Sequence, residues 1–174
     1  MKNIESLIRN VPDFPKAGIM FKDITPVLAD AEALKKVIDW YALSIEAVGD
    51  CDLIAGIESR GFIFGSAVAR KLNKGFIPIR KPGKLPYSTF RESYLLEYGE
   101  DALEIHTDAV NQGERVALVD DLLATGGTAR AAAALIEKAG GVVHSLSFLI
   151  ELDFLKGREK FKIEQEKIFS LIHY

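Results

Sequence analysis

A doubly wound α/β fold, a mainly parallel sheet with helices on both faces plus a flexible lid hairpin, is what this sequence of 174 residues predicts. Three observations carry the expectation. The apolar runs DLIAGI (52–57), GFIPI (75–79) and RVALVD (115–120) have the length of buried strands. Helical stretches separate or follow them: FIFGSAVARKL (62–72) after the first run, and TARAAAALIEKAGG (128–141), closing on glycines, after the third. Short continuous apolar strands alternating with helices are the pattern of a parallel sheet buried on both sides.

The remaining elements follow in order. Residues 30–48 place Leu34, Val37, Ile38, Tyr41, Ile45 and Val48 at helical spacing behind Asp30, a candidate N-cap. A fourth apolar run, VVHSLSFLIEL (142–152), is followed by KIFSLIHY (167–174). Residues 80–105 break the rhythm with two early prolines and then polar-aromatic alternation around Tyr98, Gly99, Glu100 and Asp101. This predicts a long loop leading into an antiparallel hairpin with strands near 93–98 and 102–106. Its length and aromatic content favour a functional lid, at about residues 83–100. No repeat, linker or low-complexity segment divides the chain, so one domain over residues 1–174 is expected.

A composition of 48% hydrophobic and 27% charged residues suits one globular domain with a substantial core. With 22 basic against 25 acidic residues the net charge is −3, and since a global nucleic-acid binder is usually basic, that class starts behind. Cys51 is the only cysteine, excluding an intrachain disulfide and any multi-cysteine zinc site. The opening MKNIESLIRN lacks the apolar core of a signal peptide, and no apolar run reaches ~18 residues. A cytoplasmic protein with no membrane or nucleic-acid partner is the expectation.

Residues 116–132, VALVDDLLATGGTARAA, set two carboxylates beside a Thr-Gly-Gly-Thr turn. The turn invites an anion and the acids repel one. A sugar phosphate satisfies both halves. The backbone N–H groups of a turn after a parallel strand, with the positive end of the next helix, bind phosphate. Gly126 and Gly127 permit close approach, Thr125 and Thr128 add hydroxyl donors, and Asp120 and Asp121 accept from ribose hydroxyls. Any one of these residues alone would suit a plain capped turn; the combination is what points to a ligand. Neither G-x-x-x-x-G-K-[ST] nor G-x-G-x-x-G follows the strand.

A second strand-to-helix turn carries Glu58, Ser59, Arg60 and Gly61, another anion site by the same physics. Between residues 70 and 91, Arg70, Lys71, Lys74, Arg80, Lys81, Lys84 and Arg91 occur with no acid among them, a local basic field fit to attract a polyanion. Arg70, Lys71 and Lys74 suit an ordinary basic surface. His106, His144 and His173 show no ligand spacing and read as structural.

VALVDDLLATGGTA resembles the 5-phosphoribosyl-1-pyrophosphate (PRPP) signature of the type I phosphoribosyltransferases. The resemblance extends to the adenine-using branch of that family through FPKAGIMFKDITPVL (14–28), IAGIESRGFIFG (54–65), IPIRKPGKLP (77–86), SYLLEYG (93–99) and LKGREK (155–160). It implies transfer of the phosphoribosyl group from PRPP to adenine, giving AMP and pyrophosphate. PRPP would be held by Asp120, Asp121, Ala124, Thr125, Gly126, Gly127 and Thr128. Its pyrophosphate would lie at Glu58, Ser59 and Arg60, with a strained peptide at Glu58–Ser59; many relatives carry Asp at position 58. The equivalents of Arg80, Lys81 and Lys84 lie near the pyrophosphate, some across a homodimer interface. Within a base-binding segment at residues 1–30, backbone groups of Met20 and Lys22 would read adenine while Phe21 stacks on it. Glu97, in the lid, would manage the purine proton. Mg2+ is the implied cofactor, bound through PRPP and water without direct protein ligands. A PRPP-sensing regulator, or transfer to xanthine, guanine or orotate, stays open at this point, because the signature alone is common to them.

Overall fold

A computed structural model describes residues 3–96 and 99–174. The chain forms two compact units, Met1–Trp40 and Tyr41–Tyr174.

In the first unit, β1 (Arg9–Pro12) pairs antiparallel with β2 (Met20–Asp23), Arg9 opposite Asp23 and Pro12 opposite Met20. The connecting loop is closed by Asp13, whose carboxylate accepts the Gly18 N–H at 2.7 Å, and contains a cis Phe14–Pro15 bond. The Asp23 carboxylate then takes the N–H of Thr25 (2.9 Å) at the start of the short helix α1 (Thr25–Ala29). Helix α2 (Ala31–Glu46) opens as its sequence foretells: Asp30 Oδ1 accepts the N–H groups of Glu32 and Ala33, both at 3.1 Å. Residues of α2 from Tyr41 onward belong to the second unit.

The second unit runs β3 (Leu53–Ile57), α3 (Arg60–Leu72), β4 (Gly75–Ile79), β5 (Thr89–Leu96), β6 (Gly99–His106), β7 (Arg115–Leu123), α4 (Gly127–Lys138), β8 (Val142–Glu151) and β9 (Ile168–His173). Five of these strands make one parallel sheet in the order β4-β3-β7-β8-β9, and β5 with β6 makes a separate antiparallel hairpin. Strand alternation sorts the side chains onto two faces. On one, Ala55, Ile57, Ile77, Ile79, Leu118 and Phe148 form a single core with Ala132, Leu135 and Ile136 of α4 and with Leu103 and Ile105 of the hairpin. On the other lies α3, so close that a Cβ on Gly56 would fall 2.7 Å from the Gly61 carbonyl oxygen. Tyr41 packs there against Phe64, ring centroids 5.5 Å apart. The doubly wound arrangement is therefore as the apolar runs indicate.

Several boundaries differ from the sequence expectation. β7 continues to Leu123 because it keeps pairing with β8, as far as Leu123 opposite Glu151. The hairpin strands begin earlier and pair over eight positions, from Thr89 opposite His106 to Leu96 opposite Gly99. Gly99, Glu100 and Asp101 accordingly belong to β6 rather than to a turn. α3 starts at Arg60, two residues before the expected helix.

The connection β3-α3-β4 goes to one side of β3, while β7 lies on its other side. The strand order reverses there, and the crevice beyond the carboxyl ends of β3 and β7 is where open α/β sheets bind ligands.

Candidate active site

Two strand-to-helix turns face that crevice. The first follows β3. Its Glu58–Ser59 peptide is cis, and α3 begins at the next residue. Glu58 is gripped by a two-pronged contact from Arg80, Nε to Oε2 and Nη2 to Oε1, both 3.1 Å, and it accepts the Lys81 N–H at 3.1 Å. The Arg80 hydrogen bonds hold its carboxyl below the usual glutamate range. Arg80 is thereby a bracket for the turn; its Nη1 also donates to the Lys84 carbonyl (3.1 Å).

The second turn follows β7. Asp121 is buried, its carboxylate 3.0 Å from Arg60 Nε. Asp120 Oδ1 accepts the Asp121 N–H (3.0 Å), and the Tyr41 hydroxyl donates to the Asp120 carbonyl (2.8 Å). Burial raises the pKa of both carboxyls. For Asp120 the neighbouring Asp121 charge pushes further, while Arg60 partly offsets the rise at Asp121. Gly61 makes the approach of α3 possible, since a Cβ there would fall 2.8 Å from Asp120 Oδ1. Gly126 caps α4 in the left-handed region, φ 78°, and the first helical hydrogen bond runs from the Arg130 N–H to its carbonyl (2.9 Å). The N–H groups of the preceding residues of the turn have no acceptor within the helix. They present the positive end of α4 to the crevice.

The turns enclose a cavity of about 300 Å³. Glu58, Ser59 and Arg60 line one side. Asp120, Asp121, Ala124, Thr125, Gly126, Gly127 and Thr128 line the other, and Lys81 completes the wall. Arg80 and Lys84 are not among the lining residues. Met20, Phe21 and Lys22 form most of β2 in the first unit, where the Lys22 ammonium donates to Asn10 Oδ1 (2.8 Å) and Phe21 meets the Phe14 ring edge-on at 5.1 Å. Glu97 lies outside the described residues.

Tyr94 and Asp101 also line the cavity, and the sequence reading missed both. They stand directly opposite each other across the hairpin. The Lys81 ammonium donates to the Asp101 carboxylate and to the Tyr94 hydroxyl (3.2 Å), which itself lies 3.2 Å from Asp101 Oδ2. Burial works against ionising Asp101, but the hydrogen bonds from Lys81 and from the Ala102 N–H outweigh it and lower its pKa. The usable signal was the polar-aromatic alternation of residues 93–101; it lacked the register.

The histidines lie apart from this cavity. His144 is buried beside Ser145, with Nδ1 and Oγ 3.1 Å apart, and His106 meets Tyr87 edge-on. His173 lies 2.9 Å from Asp153 and close to Glu151, but Arg158 and Ser170 already occupy the Glu151 carboxylate. Among the described residues, no helix is long and apolar enough to cross a membrane.

An acidic pair beside a phosphate-shaped turn can hold a sugar phosphate, and the facing turn can take a second anionic group. Known proteins share the fold and much of the sequence. Adenine phosphoribosyltransferase of Thermosipho africanus is 55% identical over 170 residues, 98% of each chain. The crystal structure of adenine phosphoribosyltransferase from Thermoanaerobacter pseudethanolicus superposes with a TM-score of 0.93 at 55% identity, covering 98% of both chains. That of the Saccharomyces cerevisiae enzyme, complexed with an imino-altritol bisphosphate and adenine, gives 0.91 at 40% identity over 97% of this chain and 96% of that one. With the phosphoribosyl transferase domain matching residues 25–168, the chain belongs to the phosphoribosyltransferase family.

Proposed function

We propose that this protein transfers the 5-phosphoribosyl group from PRPP to adenine, releasing pyrophosphate and forming AMP. One observation carries the reading: the acidic pair, the Thr-Gly turn and the Glu58–Ser59 turn converge on one cavity, in a chain 55% identical over nearly its whole length to proteins named for this activity.

In this reading the 5′-phosphate binds residues 124–128 at the start of α4, and Asp120 and Asp121 accept from the ribose hydroxyls. Ser59, Arg60 and Lys81 hold the pyrophosphate, with Glu58, Arg80 and Lys84 shaping that side. Adenine N9 bonds to the anomeric carbon as the bond from that carbon to the pyrophosphate oxygen breaks. The transition state has oxocarbenium character, so fixed charges and positioning supply most of the acceleration. Glu97 accepts the proton lost by the purine. The backbone carbonyl of Met20 and the N–H of Lys22 read adenine, and Phe21 stacks on its ring.

The cavity suits magnesium brought in on the substrate. Asp120 and Asp121 repel each other when ionised, and a cation carried by the substrate would offset that repulsion. The chemistry it would supply is neutralisation of charge on the leaving pyrophosphate. A homodimer in the cytoplasm belongs to the same reading. Exposed Leu43 on α2 and Ile63 on α3 favour an apolar interface, and the single buried Cys51 suits a reducing compartment. Sedimentation of the purified protein tests the dimer.

Incubation with PRPP, magnesium and a panel of bases tests the activity. A 6-oxo purine reverses the donor and acceptor of adenine and leaves buried groups unpaired, so hypoxanthine and guanine should be disfavoured by ~100-fold or more in kcat/KM. Comparable turnover of hypoxanthine overturns the base assignment, and the absence of any nucleotide product overturns the enzyme.

A further inference from the structure

A second loop, whose Gly157 does not line the cavity, touches the phosphate-shaped turn backbone to backbone. β7 and β8 are adjacent parallel strands, so the loops that follow them emerge side by side. The Leu152 N–H donates to the Leu123 carbonyl (2.9 Å), joining the two loops at their roots. Lys156 then adopts a left-handed conformation, φ 53°, and turns the chain back so that Gly157 lies against residues 124–126.

There is no room for a side chain in that contact. A Cβ on Gly157 would fall 2.2 Å from the Ala124 carbonyl oxygen and 3.0 Å from the Gly126 nitrogen. A Cβ on Gly126 would fall 2.6 Å from the Gly157 carbonyl oxygen. Gly126 also needs its positive φ. Gly157 does not have one, so what it supplies is the close approach.

The loop is anchored at its other end. Arg158 grips Glu151, the last residue of β8, with Nε to Oε1 at 3.0 Å and Nη2 to Oε2 at 2.6 Å, and its Nη1 donates to the Ile168 carbonyl (2.7 Å) at the start of β9. Glu151 is buried, and Ser170 donates to it at 2.6 Å. The fork pairing leaves Arg158 one orientation, and that fixes Gly157.

We infer that residues 156–158 are a positioning element: Gly157 sets the backbone of the phosphate-binding turn, and the ion pair between Arg158 and Glu151 holds Gly157 in place. Neither Gly157 nor Arg158 lines the cavity, so both act through the turn. The inference rests on the assignment of residues 124–128 to the 5′-phosphate. Phosphate recognition there uses backbone N–H groups, whose directions follow the turn, and a displacement of ~1 Å can cost on the order of 100-fold. Ser59 and Arg60, on the proposed pyrophosphate side, belong to the other turn, whereas the side-chain hydrogen bonds described for Arg158 run to Glu151, Gln165, Ile168 and Ser170.

The test measures two probes separately by calorimetry on the full-length protein with magnesium: ribose 5-phosphate and inorganic pyrophosphate. Gly157→Ala should weaken ribose 5-phosphate binding about 10-fold and raise KM for PRPP in step, while pyrophosphate binding stays within about twofold. Arg158→Lys keeps the charge but loses the fork, and should give the same selective loss more mildly; it decides the matter if Gly157→Ala does not fold. Thr128→Ala checks the underlying assignment. Loss of ribose 5-phosphate in Thr128→Ala but not in Gly157→Ala or Arg158→Lys overturns the inference and leaves the turn as the phosphate site. No loss in any of the three overturns the assignment of the turn itself. Equal weakening of both probes in the loop variants reduces the loop to general structure, and the inference fails.

Discussion

Asp120 and Asp121 are costly residues for the free protein. Burial disfavours their charge, the two carboxylates repel each other, and Arg60 relieves Asp121 more than its neighbour. Asp120→Asn keeps an oxygen to accept the Asp121 N–H but removes the charge. The free variant should therefore melt higher, by ~2–4 °C for each kcal/mol relieved, while kcat/KM for PRPP falls by about tenfold or more as the ribose loses an ionised acceptor. The sign follows from linkage. A carboxyl raised in the folded state binds more protons folded than unfolded, so wild-type stability declines as pH rises from the ordinary value near ~4 through the raised one. The advantage of the variant should grow across that window and vanish below it. Thermal melts of both proteins from pH 4 to pH 8 check this; an advantage independent of pH would show that repulsion is not its source.

Among the elements, those that were legible announce themselves by a continuous local pattern. β3, β4, β7 and β8 are short apolar runs, and α2 through α4 carry helical spacing or an alanine-rich stretch. β1 and β2, RNVP and MFKD, are too polar and too short to register, and α1 is little more than one turn. The hairpin was legible in kind but not in register. Tyr-Gly-Glu-Asp has turn composition, yet pairing along β5 draws Gly99, Glu100 and Asp101 into β6 and sets Asp101 opposite Tyr94. That register creates a contact with a consequence for the proposed binding mode, because Asp101 occupies the Lys81 ammonium assigned there to the pyrophosphate. Asp101→Asn removes the competitor. KM for PRPP should fall by about twofold to fivefold, the modest size of a partly exposed ion pair, and inorganic pyrophosphate should bind tighter by the same factor. A rise in KM would mean that Asp101 aims Lys81 rather than withholds it.

For the molecule as a whole, the two turns of the site were legible because each is one contiguous stretch whose chemistry is mostly backbone. What the sequence hid is long-range: Arg60 against Asp121, Arg80 against Glu58, and Gly157 against Gly126. The basic run from 70 to 91 shows the same limit, since three of its cations are matched by distant acids, Lys74 by Asp50, Arg80 by Glu58 and Lys81 by Asp101. Seven carboxylates fall into two populations with opposite pH behaviour. Asp50, Asp52 and Glu58 are held low by hydrogen bonds from Lys74, Arg115 and Arg80; at Asp101 and Glu151 such bonds outweigh burial. Depressed groups contribute stability above their unfolded values near ~4 and lose it only as pH falls through the lower folded ones. Asp120 and Asp121 lie on the other side, raised, so they begin to take up protons while Asp50, Asp52, Glu58, Asp101 and Glu151 are still charged. As acid is added, kcat/KM for PRPP should therefore decline at a pH where the melting temperature has not begun to fall, and where relief of the pair's repulsion is still raising it. The substrate's own phosphates titrate near ~6 and could give a similar limb, so the profile is measured in Asp120→Asn as well. A limb that belongs to the acidic pair shifts in the variant, whereas one that belongs to the substrate stays put. Coincident loss of activity and of thermal stability in the wild type would show that the pair does not govern PRPP use.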